Sequence, residues 1–153
     1  MWEEGARIIC GVYEVCRGPL AGPVTAFAVV ITQPLLLEFL NDSKQVTPLR
    51  RAALAAQIRE CAECYAVGWA TPEEIDALNI LVASKLAMAR ALEQLSVAPC
   101  RVLVDAVHIP QCAAPQTAII GGDGKSAAIA AASIVAKVAR DEPSLRLICP
   151  RLM

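Results

Sequence analysis

The chain has 153 residues, of which 56% are hydrophobic and 19% are charged, and its formal net charge is −1. This length and composition predict one folded domain with a buried core and exclude an intrinsically disordered protein. The 14 basic and 15 acidic residues nearly balance. The composition therefore lacks the excess positive charge by which dedicated nucleic-acid-binding proteins are recognised.

The cysteines and the N-terminus bear on the cellular compartment. Seven cysteines are scattered through apolar segments, and the chain opens with acidic residues where a secretory signal needs positive charge. We therefore expect reduced thiols in a cytoplasmic protein. Cys61 and Cys64 form one CxxC pair, and without a second pair or a histidine cluster this favours structural thiols over a zinc or redox site.

One uncharged stretch, residues 18–37, raises the question of a membrane segment. It contains three prolines and two glycines, which would interrupt a membrane-spanning helix. We expect a buried strand there and no membrane association.

The N-terminal third predicts two strands and a helix. β-branched residues from Arg7 to Val15 indicate a first strand, and Pro23 to Ile31 indicate a second, joined as a hairpin by a Gly/Pro-rich turn. Residues 34–44 are a loop or a short helix. Thr47 followed by Pro48 is typical of a helix start, and we expect that helix to continue to about Ala62.

A short strand and a long helix follow. Tyr65 to Trp69 predicts the third strand. The sequence Thr71-Pro72-Glu73-Glu74 combines a cap, a proline and an acid at the capping-box position, so it predicts a strong helix start. Apolar residues behind it recur at helical spacing, which predicts one long amphipathic helix with a buried stripe of Ile75, Leu78, Val82, Leu86, Ala89 and Leu92.

The remaining elements complete a mixed α/β pattern. Arg101 to Asp105 and Gln116 to Ile120 are the fourth and fifth predicted strands. Gly121 to Lys125 is a tight loop, and Ser126 to Asp141 is an alanine-rich helix. The order β-β-α-β-α-β-β-α predicts one compact domain of layered α/β architecture.

Three acids stand at the ends of predicted elements. Glu14 closes the first strand, Asp105 closes the fourth, and Asp123 lies in the loop before the last helix. Carboxylates brought from separate elements to one sheet edge can hold Mg²⁺ or Mn²⁺, and two such ions can drive phosphodiester hydrolysis. Spacing alone leaves open the alternative that these are solvated loop ends.

Seven short segments together resemble one known family. They are residues 11–24 (GVYEVCRGPLAGPV), 41–44 (NDSK), 68–88 (beginning GWATPEEIDALNIL and ending KLAM), 104–105 (VD), 115–117 (PQT), 122–126 (GDGKS) and 131–141 (AASIVAKVARD). In this order they resemble ribonuclease HII over residues 8–141. The resemblance implies an α/β, ribonuclease H-like mixed five-stranded sheet flanked by helices. It also implies an endonuclease that cuts 5′ to a ribonucleotide in an RNA–DNA hybrid or in duplex DNA with embedded ribonucleotides.

The resemblance implies a metal site as well. The family's site has a consecutive Asp-Glu pair, an Asp at the end of strand four and an Asp before the late helix. Glu14, Asp105 and Asp123 match three of these acids and are expected to hold Mn²⁺ or Mg²⁺. Tyr13 occupies the position of the first Asp. Because a phenol has a reference pKa of about 10 and is neutral at pH 7, we expect a weakened metal site and impaired cleavage.

Other positions match the family's substrate contacts. Cys16, Arg17 and Gly18 stand where the family has Gly-Arg-Gly, whose backbone reads the ribonucleotide's 2′-hydroxyl. A Cys16 side chain would obstruct that close approach. The expected phosphate contacts, for which solvated surface positions are the alternative, are Lys44, Lys125, Ser133 and Lys137.

Residues 142–153 no longer resemble the family, so we divide the chain into a ribonuclease HII-like domain, 1–141, and a divergent or truncated tail, 142–153. The resemblance implies that members continue with further helices, and Pro143 is expected to end the last helix here. We expect a monomer. Two hypotheses remain: an endonuclease with impaired activity, or an inactive remnant that binds hybrid duplex or has no activity.

Overall fold

The computed structural model describes residues 8–15, 23–31 and 47–141, apart from the side chains of Asp123, Arg140 and Asp141. Three predicted features lie outside these ranges: the hairpin turn at residues 17–19, the segment 34–44 and the tail 142–153. Four candidate substrate contacts also lie outside them, namely Cys16, Arg17, Gly18 and Lys44.

Five strands form one mixed sheet in the order β3-β2-β1-β4-β5. β1 (Ile9–Val15), β2 (Val24–Ile31) and β3 (Cys64–Ala70) pair antiparallel. β4 (Arg101–Asp105) and β5 (Gln116–Ile119) run parallel to β1. The carboxyl ends of β1, β4 and β5 therefore lie at one edge of the sheet. The predicted five-stranded mixed sheet with flanking helices is confirmed.

Helices cover both faces of this sheet. α1 (Pro48–Cys61) and α4 (Ala127–Asp141) pack on one face, and α2 (Pro72–Leu78) and α3 (Ile80–Glu93) lie on the other. All eight residues of β2 are buried, because that strand is central and covered on both sides. Within the described residues no helix combines the length and apolar character needed to cross a membrane.

The cysteines of the described ranges are free thiols. Cys10 lies inside the core on the α3 face of β1, and burial raises the pKa of its thiol well above the usual value. A thiol held in this neutral form is a poor nucleophile and a poor metal ligand.

The region after Thr71 corrects one sequence prediction. The expected single long helix is wrong, because the chain breaks at Asn79 into α2 and α3. Asn79 has a φ of 75°, which ends α2, and its side-chain Oδ1 accepts a hydrogen bond from the Val82 N–H at 3.0 Å, which caps α3. With ψ at 166°, this backbone lies outside the left-handed helical well in a region that favours glycine, and the cap that asparagine supplies to α3 offsets part of that cost.

The predicted apolar stripe is also partly wrong. Leu78 and Val82 are 40% and 41% exposed. A Cβ at Gly68 of β3 would overlap the backbone of α3 at Ala87 and Ala91, so this helix lies too close to the sheet for large side chains. Small residues and one methionine therefore form its buried face: Ala83, Ser84, Ala87, Met88, Ala89 and Ala91.

We expect Asn79→Ala to lower the free energy of unfolding by about 1 kcal/mol from the lost cap, since asparagine and alanine both place a β-carbon at this positive φ. Asn79→Gly, which loses the cap but relieves the backbone strain, should lower it by about half as much. Urea unfolding of the three proteins measures both. If both variants lower the free energy of unfolding equally, the positive φ at position 79 does not destabilise the protein.

Candidate active site

Two of the predicted acids meet at the carboxyl edge of β1 and β4. These strands are parallel neighbours, and their register pairs Val12 with Val104. The next residues along the two strands are Tyr13 and Asp105, and Glu14 follows Tyr13. The fold therefore brings Asp105 next to two adjacent positions, Tyr13 and Glu14, which precede it by 92 and 91 residues.

The side chains at this edge leave the sheet on two faces. Tyr13 packs against the core under α4, and Asp105 lies on the same face as Leu103, two residues earlier. Glu14 lies on the α3 face, where the Ser84 hydroxyl donates to its Oε2 at 3.5 Å. The Ser84 hydroxyl is buried and comes from α3, so it fixes Glu14 from a distant part of the chain.

Asp105 is held by the loop that carries Asp123. Its Oδ1 accepts a hydrogen bond from the backbone N–H of Gly122 at 2.9 Å. The loop expected at residues 121–125 is a 3₁₀ helix over Gly122–Gly124, and the Gly122 carbonyl accepts from the N–H groups of Lys125 and Ser126. This ordered turn places the backbone of Asp123 next to the group that bonds Asp105.

Tyr13, where the family resemblance predicts an acid, lies beside a cation. Lys137 of α4 places its Nζ 5.7 Å from the centroid of the Tyr13 ring, which is a cation–π distance. This contact ties β1 to α4 where the sequence comparison expects a carboxylate. A neutral phenol beside an ammonium group is a poor environment for a divalent cation.

The described donors therefore fit a divalent cation only in part. The carboxylates of Glu14 and Asp105 are the oxygen ligands that Mg²⁺ and Mn²⁺ prefer, and Tyr13 is the position that does not fit. Among the side chains that the structure describes, no three His, Cys, Asp or Glu groups lie close enough together to hold a metal ion. Asp123, whose side chain is not described, is outside that set.

The candidate phosphate contacts lie in different environments. Lys125 is exposed and Lys137 is half-buried. Ser133 is 0% exposed, so in this placement it has no surface from which to contact a phosphate.

Sequence reasoning missed Gln116, which holds the loop that follows Asp105. Its side-chain amide forms a two-bond pair with the backbone of the buried Ile109: Oε1 accepts from N–H at 2.7 Å, and Nε2 donates to the carbonyl at 2.8 Å. Gln116 belongs to a segment that carried the family resemblance, but nothing in that pattern indicates its partner. Ser84 was missed because its bond to Glu14 joins residues 70 positions apart.

We expect Gln116→Leu to lower the free energy of unfolding by about 2 kcal/mol, because it leaves the buried Ile109 N–H without a partner and removes one of the two donors to the Ile109 carbonyl, the other being the Cys112 N–H. Gln111→Leu is the matched control, since Gln111 is exposed on the same loop. Its effect should stay within about 0.5 kcal/mol. If Gln116→Leu lowers the free energy of unfolding no more than Gln111→Leu does, water replaces the hydrogen bonds of the Gln116 amide.

Two cavities lie away from the acidic edge. One of about 340 Å³ lies beside β3, where Arg90 donates to Glu74 at 2.7 Å and to the Trp69 carbonyl at 2.9 Å. Another of about 440 Å³ lies between the end of α3 and the β4–β5 connection. Neither is lined by Tyr13, Glu14 or Asp105, so both cavities are separate from the candidate site.

Comparison with known proteins gives consistent matches over nearly the whole chain. A family model described as Ribonuclease HII matches residues 10–148. Ribonuclease HII of Moorella thermoacetica is 53% identical over 146 residues, covering 92% of this chain and 71% of that protein. Ribonuclease HII of Desulfitobacterium hafniense is 52% identical over 141 residues, and this chain spans only 54% of its length.

Solved structures give the same result for the fold. The chain is similar to the ribonuclease H2 of Pyrococcus horikoshii, with a TM-score of 0.75 and 30% identity over 92% of this chain and 75% of that one. The structure of Bst-RNase HIII in complex with Mn²⁺ matches with a TM-score of 0.71 at 16% identity, covering 96% of this chain and 56% of that one, a likeness of fold alone. The predicted ribonuclease H-like fold is confirmed.

Proposed function

Because the chain belongs to the ribonuclease HII family, whose members are hydrolases of the ribonuclease H type, we propose that it is an endonuclease acting on ribonucleotides paired with DNA. Its substrate is an RNA–DNA hybrid or duplex DNA with embedded ribonucleotides, and it cuts the phosphodiester 5′ to the ribonucleotide. The observation that carries the proposal is that β1 and β4 are parallel neighbours, so Glu14 and Asp105 stand at the ends of adjacent strands on one edge of the sheet.

The metal ligands of this proposal are Glu14, Asp105 and Asp123, holding Mn²⁺ or Mg²⁺. Bound in a pair, such ions supply an activated water and stabilise the leaving oxygen of a phosphodiester. The chain's own contribution is orientation. Gly122 holds one oxygen of Asp105 through its N–H, and Ser84 donates to Glu14, so both carboxylates are fixed before any ion arrives.

Substrate binding in this proposal uses positive charge near the acidic edge. Lys125 is exposed on the loop beside Asp123, where it can reach a phosphate. Lys137 is half-buried against the Tyr13 ring, so its positive charge is less available to a phosphate. Lys44 and the Cys16-Arg17-Gly18 segment are proposed substrate contacts from the family pattern alone.

Tyr13 impairs this activity. It removes one negative charge and one ligand from the metal site, and its ring brings the Lys137 ammonium to the same place. Losing several kcal/mol of transition-state stabilisation lowers a rate by orders of magnitude, about tenfold for each 1.4 kcal/mol. The same contact favours the second candidate, an inactive member that binds hybrid duplex without cutting it.

The test is cleavage of a duplex that contains a single ribonucleotide, with an all-DNA duplex of the same sequence as control. We expect slow cutting on the 5′ side of the ribonucleotide in Mn²⁺ or Mg²⁺, abolished by a chelator and by Asp105→Asn. Hybrid binding without cutting would favour the second candidate. Cutting that survives both chelator and Asp105→Asn would refute the proposed site.

A further inference from the structure

Ser133 of α4 has a buried hydroxyl that no described group satisfies. The residue is 0% exposed, and its Oγ has no hydrogen-bond partner within the described part of the chain. A helical serine ordinarily satisfies its hydroxyl on the carbonyl four residues earlier, yet Ser133 does not use the carbonyl of Ile129. Unpaired buried hydroxyls are costly and uncommon in folded proteins, so this one requires an explanation.

The position of Ser133 on α4 indicates which part of the sheet it faces. Ile129, Ser133 and Lys137 recur at four-residue intervals and share one side of the helix. Ile129 lies against β1 and the site loop, since a Cβ at Gly11 would lie 2.6 Å from its backbone N and a Cβ at Gly122 would lie 2.5 Å from its Cδ1. Lys137 reaches the Tyr13 ring. Ser133 therefore lies between these contacts, above the end of β1 that leads to Tyr13.

We propose that Ser133 is a positioning residue for position 13, and that its hydroxyl donates to a short oxygen-bearing side chain there. An aspartate or asparagine carries its oxygens one bond beyond Cγ, close to the strand and under α4. Tyrosine carries its only side-chain oxygen at the far end of the ring and presents carbon atoms to the helix. The Ser133 hydroxyl is thus the donor of a hydrogen bond whose acceptor is absent when position 13 is a tyrosine. The inference rests on the proposed function only in treating position 13 as a place for a metal-ligating carboxylate.

A double-mutant cycle on thermal stability tests this without any activity assay. Tyr13→Asn and Tyr13→Leu introduce side chains of nearly equal size, of which only asparagine can accept a hydrogen bond. We expect Ser133→Ala to lower the melting temperature by about 3 °C in the Tyr13→Asn background. In the parent chain and in Tyr13→Leu, the same substitution should leave the melting temperature unchanged or raise it, because it removes an unsatisfied group.

Ser126→Ala is the control substitution for the cycle. Ser126 caps α4, its Oγ accepting from the Ile129 N–H at 3.3 Å, so its loss should cost the same in all three backgrounds. Equal effects of Ser133→Ala in the three backgrounds would overturn the inference. A loss of about 3 °C or more in the parent chain would do the same. So would a Tyr13→Asn protein that fails to fold while Tyr13→Leu folds, because the acceptor then finds no donor.

The affinity for Mn²⁺ gives a second measurement, which would not change on substitution of Ser133 if that residue served only to stabilise the fold. In the Tyr13→Asp background, Ser133→Ala should weaken Mn²⁺ binding, measured by calorimetry, about tenfold, as removal of a residue that orients a metal ligand does. Ser126→Ala should leave that affinity unchanged. If Tyr13→Asp binds no Mn²⁺ at all, the proposed metal site fails, while the stability cycle still decides the role of Ser133.

Discussion

The Tyr13→Asp variant should cleave a ribonucleotide-containing duplex at least about 100-fold faster than the parent chain, which corresponds to about 2.7 kcal/mol in the activation barrier. The substitution returns a carboxylate to the edge where Glu14 and Asp105 already lie. It also removes the aromatic ring that holds the Lys137 ammonium in place. Single-turnover cleavage at saturating Mn²⁺ measures the chemical step, and titration of Mn²⁺ measures whether the ion is bound more tightly.

Two controls distinguish an effect of the added carboxylate on metal binding from an effect of removing the tyrosine ring. Tyr13→Asn removes the ring without adding charge and should recover much less activity than Tyr13→Asp. Adding Asp105→Asn to Tyr13→Asp should abolish the gain, because the new carboxylate acts only with its neighbour. If the parent already cuts as fast as Tyr13→Asp, the metal site does not need a carboxylate at position 13, and our account of Tyr13 is wrong.

Most of the fold could be predicted from local patterns. The strand over Arg101–Asp105 was placed at the residues that the structure shows, and the others were placed within one or two residues. The helix starts at Thr47 and Thr71 were visible because a cap followed by proline is a local signal. Asn79 was not recognised, because its positive φ depends on how α2 and α3 pack and not on its neighbours in the sequence.

The face of α3 shows why periodicity alone was insufficient. A period of 3.6 residues identifies which residues share a side of a helix, but the largest apolar residues need not be the buried ones. Here Gly68 lets β3 approach α3 so closely that alanines fill the interface, and Val82 is left outside. The residue that allows this close approach is Gly68 of β3, so the sequence of α3 alone does not show which of its residues are buried.

The candidate site likewise contains residues that the sequence identified and residues that only the structure identified. Glu14, Asp105 and Asp123 could be named from the family pattern, and the parallel pairing of β1 with β4 explains why the first two lie at one edge of the sheet. The groups that orient the carboxylates, Ser84 and the backbone N–H of Gly122, could not be named, because each acts across 17 residues or more of sequence. The contact of Lys137 with Tyr13 likewise follows only from the packing of α4 on β1.

Packing of α4 on β1 is also where the largest loss of stability should occur, at Gly11. A Cβ there would overlap the carbonyl of Ala128 and lie 2.6 Å from the backbone N of Ile129. These are backbone atoms of a helix that is itself buried, so no side chain can rotate away and the helix must move. We expect Gly11→Ala to lower the free energy of unfolding by about 3 kcal/mol or more, which is about 6–12 °C in melting temperature for a chain of this size.

Gly124→Ala is the matched control for this prediction, because a Cβ at Gly124 meets nothing within 4 Å and its backbone has no positive φ. Its effect on stability should stay within about 0.5 kcal/mol. Gly68→Ala should behave like Gly11→Ala, since it meets the backbone of α3 in the same way on the opposite face. If Gly11→Ala were as mild as the control, α4 could shift on the sheet without loss. The packing of α4 on β1, which places Lys137 at the Tyr13 ring, would then not be fixed by the fold.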